Sequence, residues 1–231
     1  VDDIIQVIKS NLDLTDSRPM RILIYEALRK TIILGDIPSG KRIVENKLSE
    51  KLNVSRTPIR YAFKRLAKEG LVTHKSGVGV YINGIHIRDA YEIFDIRKEL
   101  DALATRKAMV NMDSLQYKEM EDLLHDTKVL NDEGKVREVI NSFSQFDKFI
   151  YDASKMPRLK MIDLQLQEYL VYFRDVNLSS KSRRDSAIVE HRNIYNGMVD
   201  KNADEVNRLV SKHLDCSLKF VLKEMKLRNI S

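Results

Sequence analysis

From Met20 to Leu34 the apolar positions Ile24, Leu28 and Ile32 recur every fourth residue with Tyr25 beside them, the spacing of a helix with one buried face. Gly35 closes it. The turn cluster Asp36-Ile37-Pro38-Ser39-Gly40 follows, after which Ile43 either pairs as a short strand or packs ahead of the next helix. Leu48 and Leu52 turn a second helix, Glu45 to Leu52, inward. Asn53 stands where a tight interhelical turn calls for a positive φ, which asparagine tolerates better than most side chains. Ser55 is placed to cap a third helix, Arg56 to Lys68, with Pro58 inside its first turn, where a missing N–H costs nothing. Beyond Gly70, the runs Leu71-Val72-Thr73-His74 and Val78-Gly79-Val80-Tyr81-Ile82 alternate in β fashion around Lys75-Ser76-Gly77 and predict a two-stranded wing.

The pattern then changes. Between Asn83 and Ser231 the only proline is Pro157 and the only glycines are Gly84, Gly134 and Gly197, so helices run almost without interruption. The spacing predicts helices over 88–110, 113–131, 135–154, 157–177, 183–200 and 202–227, with Asp113 or Ser114 as a cap and Asp132-Glu133-Gly134 as a break. The fold class expected is mainly α: an N-terminal winged helix-turn-helix with a small β wing over 18–83, then an all-α antiparallel helical bundle over 84–231. Residues 1–17 form an N-terminal extension. Its Ile4, Ile5, Val7 and Ile8 suit a short amphipathic helix packing on a partner copy or on the bundle, an added arm being the alternative.

Charge sharpens this division. The net charge of the 231 residues is +6. Residues 1–17 carry −3, residues 18–82 carry +9, and residues 83–231 balance to zero. Clustered Lys and Arg are rewarded by a phosphate backbone through counterion release, so the middle segment reads as a polyanion-binding module joined to something else. No apolar run approaches the length of a membrane span, and the start Val1-Asp2-Asp3-Ile4 lacks the layout of a signal peptide; a cytoplasmic protein without a membrane partner is expected. The single Cys216 excludes an internal disulfide and a CxxC motif, and reads as a buried small hydrophobe.

On the third helix Ile59, Phe63 and Leu66 share one face, while Arg56, Arg60 and Lys64 recur at i, i+4 and i+8 along another. A major groove admits one such helix, and arginines near its N-terminus can grip guanine edges or phosphates. The stretches Leu48-Ser49-Glu50-Lys51-Leu52-Asn53-Val54-Ser55-Arg56-Thr57-Pro58-Ile59-Arg60, Leu66-Ala67-Lys68-Glu69-Gly70-Leu71-Val72 and Gly35-Asp36-Ile37-Pro38-Ser39-Gly40 strongly resemble the GntR-family DNA-binding domain. The resemblance implies that Arg56 and Arg60 are the principal DNA contacts, with Ser55, Thr57, Ser76 and Gly77 assisting at the backbone and wing, while Lys64 joins the DNA-binding candidates by its place on the same helix face. Asn46 departs from the arginine that the family's fatty-acid-responsive member carries there, which argues for a different operator.

In the helical half, Asp147 and Tyr151 lie four apart on one helix, and His191 and His213 lie on the last two, so all four can converge inside a bundle. Taken singly, each is more often a surface or internally satisfied residue. Arg97-Lys98-Glu99-Leu100-Asp101, Asp147-Lys148-Phe149-Ile150-Tyr151, His191-Arg192-Asn193-Ile194 and His213-Leu214 resemble the FCD sensor domain of the FadR subfamily. In its common form one Asp and three His bind zinc, nickel or manganese, and the metal helps bind a small carboxylate. Here Tyr151 stands at the position of one histidine, and a phenol is a poor ligand. Either Asp147, His191 and His213 keep a weaker metal site with an open position, the outcome expected, or the metal is lost and Tyr151 donates a hydrogen bond to the effector. Met156 also replaces a usual asparagine and makes the pocket more apolar. Arg97 is expected to form an ion pair with Asp101, an anion clamp being its functional alternative. Arg192 and Tyr195 are further candidates for the pocket.

Together these imply a homodimeric transcriptional regulator that is no enzyme. It is expected to repress a metabolic operon from a pseudo-palindromic double-stranded operator and to be relieved by a small carboxylate or sugar acid. Two rivals explain less. A metal-dependent hydrolase using Asp147, His191 and His213 leaves the basic segment idle, and a nonspecific nucleic-acid binder predicts a basic surface throughout.

Overall fold

A computed structural model describes residues 2–13 and 15–231; Val1 and Leu14, within the expected N-terminal extension, lie outside the described residues. The chain divides into two compact units, one comprising the residues up to Ile87 together with Met225–Ser231, the other Arg88–Glu224.

In the first unit α1 (Asp2–Ser10), α2 (Met20–Ile33), β1 (Arg42–Ile43), α3 (Glu45–Leu52), α4 (Arg56–Lys68), β2 (Val72–Lys75) and β3 (Gly79–Ile82) follow one another. Leu23, Ile24, Leu28 and Ile32 of α2 meet the buried face of α4, Ile59, Ala62, Phe63 and Leu66, in one core. Glu69, just past α4, ties the two helices polarly: it accepts from Tyr25 Oη at 2.5 Å and from Arg29 Nε at 2.7 Å. Asn53 takes φ 54° and ψ 47°, the left-handed turn that its side chain suits. Ser55 precedes α4 with extended backbone, but its side chain accepts no capping hydrogen bond.

The wing has three strands rather than two. Ile43 pairs with Val80 and Arg42 with Tyr81, so the antiparallel order is β1-β3-β2. Gly79 is required there: its φ is +139°, and a Cβ would stand 2.9 Å from the Ile43 carbonyl oxygen. The N-terminal extension packs within the first unit. Helix α1 lies against α2 and α3, burying Ile5 and Ile8, and Asn11 donates to Thr31 Oγ1 at 3.1 Å. The last residues also join this unit. Ile230 fills the space above Gly35, whose φ of +74° and absent Cβ allow the approach.

The second unit contains the bundle: α5 (Ile87–Asn111), α6 (Ser114–Asp132), α7 (Val136–Ser154), α8 (Pro157–Leu178), α9 (Lys181–Val199) and α10 (Ala203–Leu227), the ends of α5 and α10 reaching the first. Asp113 caps α6 in a reciprocal box with Gln116, which satisfies two N–H groups at once. Gly134, at φ +73°, turns the chain between α6 and α7. Val139 and Phe143 of α7 pack with Ala187 and Ile188 of α9. Cys216 on α10 is half-buried, not buried as expected. Among the described residues no helix is long and apolar enough to cross a membrane.

Candidate DNA interface and sensor cavity

With one face of α4 in the core, its other face is open. Arg56, Thr57, Arg60 and Lys64 are exposed, as are Ser55 before the helix and Ser76 and Gly77 at the wing tip. The structure thus places every residue expected at the DNA on the surface of the first unit. Two neighbours that helical spacing does not reveal shape this surface. Glu45, the first residue of α3, accepts from Arg60 Nε at 3.1 Å through one oxygen, while the other lies 3.8 Å from His74 Nε2 on β2. Arg42 donates to the Val78 carbonyl from Nε at 2.9 Å and from Nη2, which fixes the wing tip.

In the second unit α7 supplies Asp147 and Tyr151, α9 His191 and α10 His213. Asp147, His191 and His213 line two adjoining cavities of about 80 and 30 Å3, with Tyr151 on the smaller and Arg97, Arg174 and Arg183 on the larger. Since roughly 10–15 Å3 suffices for one water, the larger holds several waters or a small molecule.

His191 is clamped by aromatic rings, stacked on Phe146 at 4.4 Å and edge-on to Phe143 at 5.0 Å. Burial, then the neighbouring His213, hold its pKa well below 6.5, and its Nδ1 has no hydrogen-bond partner. His213 Nδ1 lies 2.7 Å from Glu190 Oε2, which fixes the tautomer with the proton on Nδ1 and leaves Nε2 as an acceptor in the neutral ring. Burial works to raise Glu190, but the His213 hydrogen bond and the charges of His213 and Arg183 hold it low.

Tyr151 faces away from any such role. Its hydroxyl lies 2.7 Å from Asp101 Oδ1, makes a short contact with Asp163 Oδ2, and accepts from Gln167 Nε2 at 2.8 Å. Burial and the surrounding carboxylates push its pKa well above 10. Burial also lifts Asp101 to about 7, against the pull of Arg97. Arg97 donates to Asp101 Oδ2 at 2.9 Å, the expected ion pair, and its Nε stands 3.4 Å from Asp163 Oδ1 without hydrogen-bond geometry.

This donor set does not fit the expected zinc, nickel or manganese. Among the described residues no three His, Cys, Asp or Glu side chains converge as a metal shell. The group standing at the position of the fourth ligand is a protonated phenol already bound to Asp101, Asp163 and Gln167. Nor do Arg192 and Tyr195 reach the cavity. Arg192 lies 3.8 Å from Glu121 on α6, and Tyr195 Oη donates to the Tyr117 carbonyl at 3.3 Å. In their place α8 contributes Gln167 and Arg174 to the larger cavity, with Asp163 behind it, bound to Tyr151 and Gln167. The i, i+4, i+11 spacing of Asp163, Gln167 and Arg174, among Leu159 and Leu170 on the inward stripe, is a sequence signal that an apolar search passes over.

The comparisons with known proteins agree with both units. Residues 23–82 match the family model for bacterial regulatory proteins of the gntR family, and residues 92–215 match that of the FCD domain. The HTH-type transcriptional regulator YdhC of Bacillus subtilis (strain 168) is 30% identical over 212 residues, 90% of this chain and 95% of that protein. The HTH-type transcriptional repressor RspR of Escherichia coli (strain K12) is 23% identical over 201 residues, covering 87% and 88%. The solved structure of E. coli McbR/YncC shares the fold at a TM-score of 0.64 and 20% identity over 89% of this chain and 98% of that one. A winged helix-turn-helix with an open basic face, joined to a helical unit with a buried cavity, defines a DNA-binding transcriptional regulator. The chain belongs to the gntR family, with an FCD domain as its helical unit.

Proposed function

We propose that the chain is a repressor whose FCD cavity binds a small carboxylate, and that the bound acid releases an operator held by a homodimer. The observation that carries this is the state of the cavity wall. Arg97 Nε, Arg174 Nε and His191 Nδ1 are buried without hydrogen-bond partners, and all three residues line the larger cavity. The two arginine Nε atoms reach carboxylates only outside hydrogen-bond geometry, Asp163 Oδ1 at 3.4 Å and Asp175 Oδ1 at 3.5 Å. Since a buried polar group left without a hydrogen bond costs about 1–3 kcal/mol, a ligand carboxylate that meets them squarely is favoured. Arg183, paired with Glu190 at 3.3 Å and donating to Ser217 Oγ at 3.1 Å, walls the same space. Repression as the sense of control is supported by the likeness to RspR, a transcriptional repressor.

An acid can shift DNA affinity only through its differential affinity for the DNA-competent and DNA-incompetent states. The test is a thermal-shift panel of small carboxylates and sugar acids, followed by gel shifts with the hit on an operator fragment. An acid that raises the melting temperature and weakens operator binding supports the reading. A hit that leaves operator affinity unchanged at fixed salt counts against it.

A further inference from the structure

Resting on the cavity as the effector site, we propose that this sensor works without a metal ion. Arg97, ion-paired with Asp101 and Asp163, supplies the positive charge for which related FCD domains use a bound cation, and the acid is gripped by Arg97, Arg174 and His191 directly. Tyr151 is committed to Asp101, Asp163 and Gln167 and offers a metal no free lone pair.

Three observations carry the proposal. The first is charge. Asp101 and Asp163 already face a buried guanidinium, at 2.9 and 3.4 Å from Arg97 nitrogens. A divalent ion added beside that guanidinium would meet it in a poorly screened interior, where like charges repel far more than in water. The second is the chemistry of the replaced ligand. Tyr151 brings an O–H where an imidazole would offer a lone pair, and three side chains satisfy that hydroxyl. The third is the kind of group left over. Two guanidinium nitrogens of residues on the larger cavity, Arg97 Nε and Arg174 Nε, make no hydrogen bond and have only loose ion pairs, to Asp163 Oδ1 at 3.4 Å and Asp175 Oδ1 at 3.5 Å, so the wall offers cationic donors to an anion. His191, only 3% exposed and fixed between Phe143 and Phe146, presents its nitrogen without freedom to turn away.

The experiment uses the full chain, wild type and Tyr151→His, purified without added metal. Metal content is read by elemental analysis, and melting temperature is followed on adding zinc, nickel or manganese alone. The same acid panel is then run with and without a chelator. The wild type is expected to carry well under one ion per chain and to show no metal-induced stabilisation. A binding acid at 100-fold its Kd should raise its melting temperature by about 5 °C or more, equally with chelator present. Tyr151→His, which restores the imidazole, should take up about one ion per chain and melt higher with it. Roughly one tightly held ion per wild-type chain, or an acid shift that vanishes with chelator, overturns the proposal while the effector reading stands. A flat response to every acid in both conditions overturns the effector reading instead, and the metal measurement keeps the two failures apart. The wild-type measurements decide by themselves should the histidine variant not fold.

Discussion

Arg60 shows how little of the behaviour expected of a DNA-contact residue lies in the residue itself. Its guanidinium is 65% exposed and held by Glu45 at 3.1 Å. An ion pair this open is worth only about 0–1 kcal/mol to the fold, so its consequence is geometric: one rotamer of a long side chain is favoured before DNA arrives. Arg60→Ala is expected to cost about 1–3 kcal/mol of specific operator binding, read by gel shift at fixed salt, whereas Lys64→Ala should weaken all duplexes alike and lower the salt slope by about one. Glu45→Ala separates positioning from charge. It should weaken operator binding roughly 2- to 10-fold, the worth of one such hydrogen bond, yet leave random duplex bound as well or better because a negative charge is gone. Equal loss on both duplexes would mean that Glu45 does not orient Arg60. At this scale the sequence was legible wherever the chemistry was local. The open face shared by Arg56, Arg60 and Lys64 followed from helical spacing, and the left-handed turn at Asn53 from its side chain. Glu45 lies 15 residues from Arg60, so its role needed the tertiary fold, as did the shift of Arg192 and Tyr195 away from the cavity.

Among the elements, helices were the most readable, because periodicity and the scarcity of Gly and Pro are sufficient to place them; α3 and α4 coincide with the ranges their apolar stripes predict. Less readable was what each packs against. The stripe of α1 is plain in sequence, but only the fold shows that Ile5 and Ile8 belong to α2 and α3, and that β1 extends the wing. The end of the chain is a similar case: Ile230 seats on Gly35, Arg228 lies 3.4 Å from Asp36, and the Ser231 carbonyl is 3.0 Å from His86 Nδ1. Ile8→Ala removes a side chain only 1% exposed and should cost about 2–5 kcal/mol. Gly35→Ala combines a positive φ, worth about 1–2 kcal/mol, with a Cβ placed 2.9 Å from Ile230. Chemical denaturation of the full chain checks both. Deleting residues 228–231 should relieve the steric part of the Gly35→Ala defect and leave the backbone part, so a defect unchanged by the deletion would show that Ile230 is not what the added methyl meets.

For the whole molecule, charge was the most informative sequence property. The excess of +9 over residues 18–82, against zero for 83–231, separates the DNA-binding unit from the helical FCD unit by composition alone. The proposed regulator then has to obey linkage. If an acid loosens operator binding tenfold, about 1.4 kcal/mol, then operator must loosen acid binding by the same tenfold, since both measure one coupling free energy. The prediction is checked by titrating acid into the free protein and into its operator complex at one salt concentration. Size-exclusion with light scattering should first give twice the 26.9 kDa chain mass, because a pseudo-palindromic operator with half-sites about 34 Å apart needs two copies of α4. Arg174→Gln should lower acid affinity in both titrations while leaving operator affinity without acid unchanged, since it alters the cavity wall and not the basic face. Acid affinities that agree with and without operator would leave the cavity with no part in regulation, however tightly it binds.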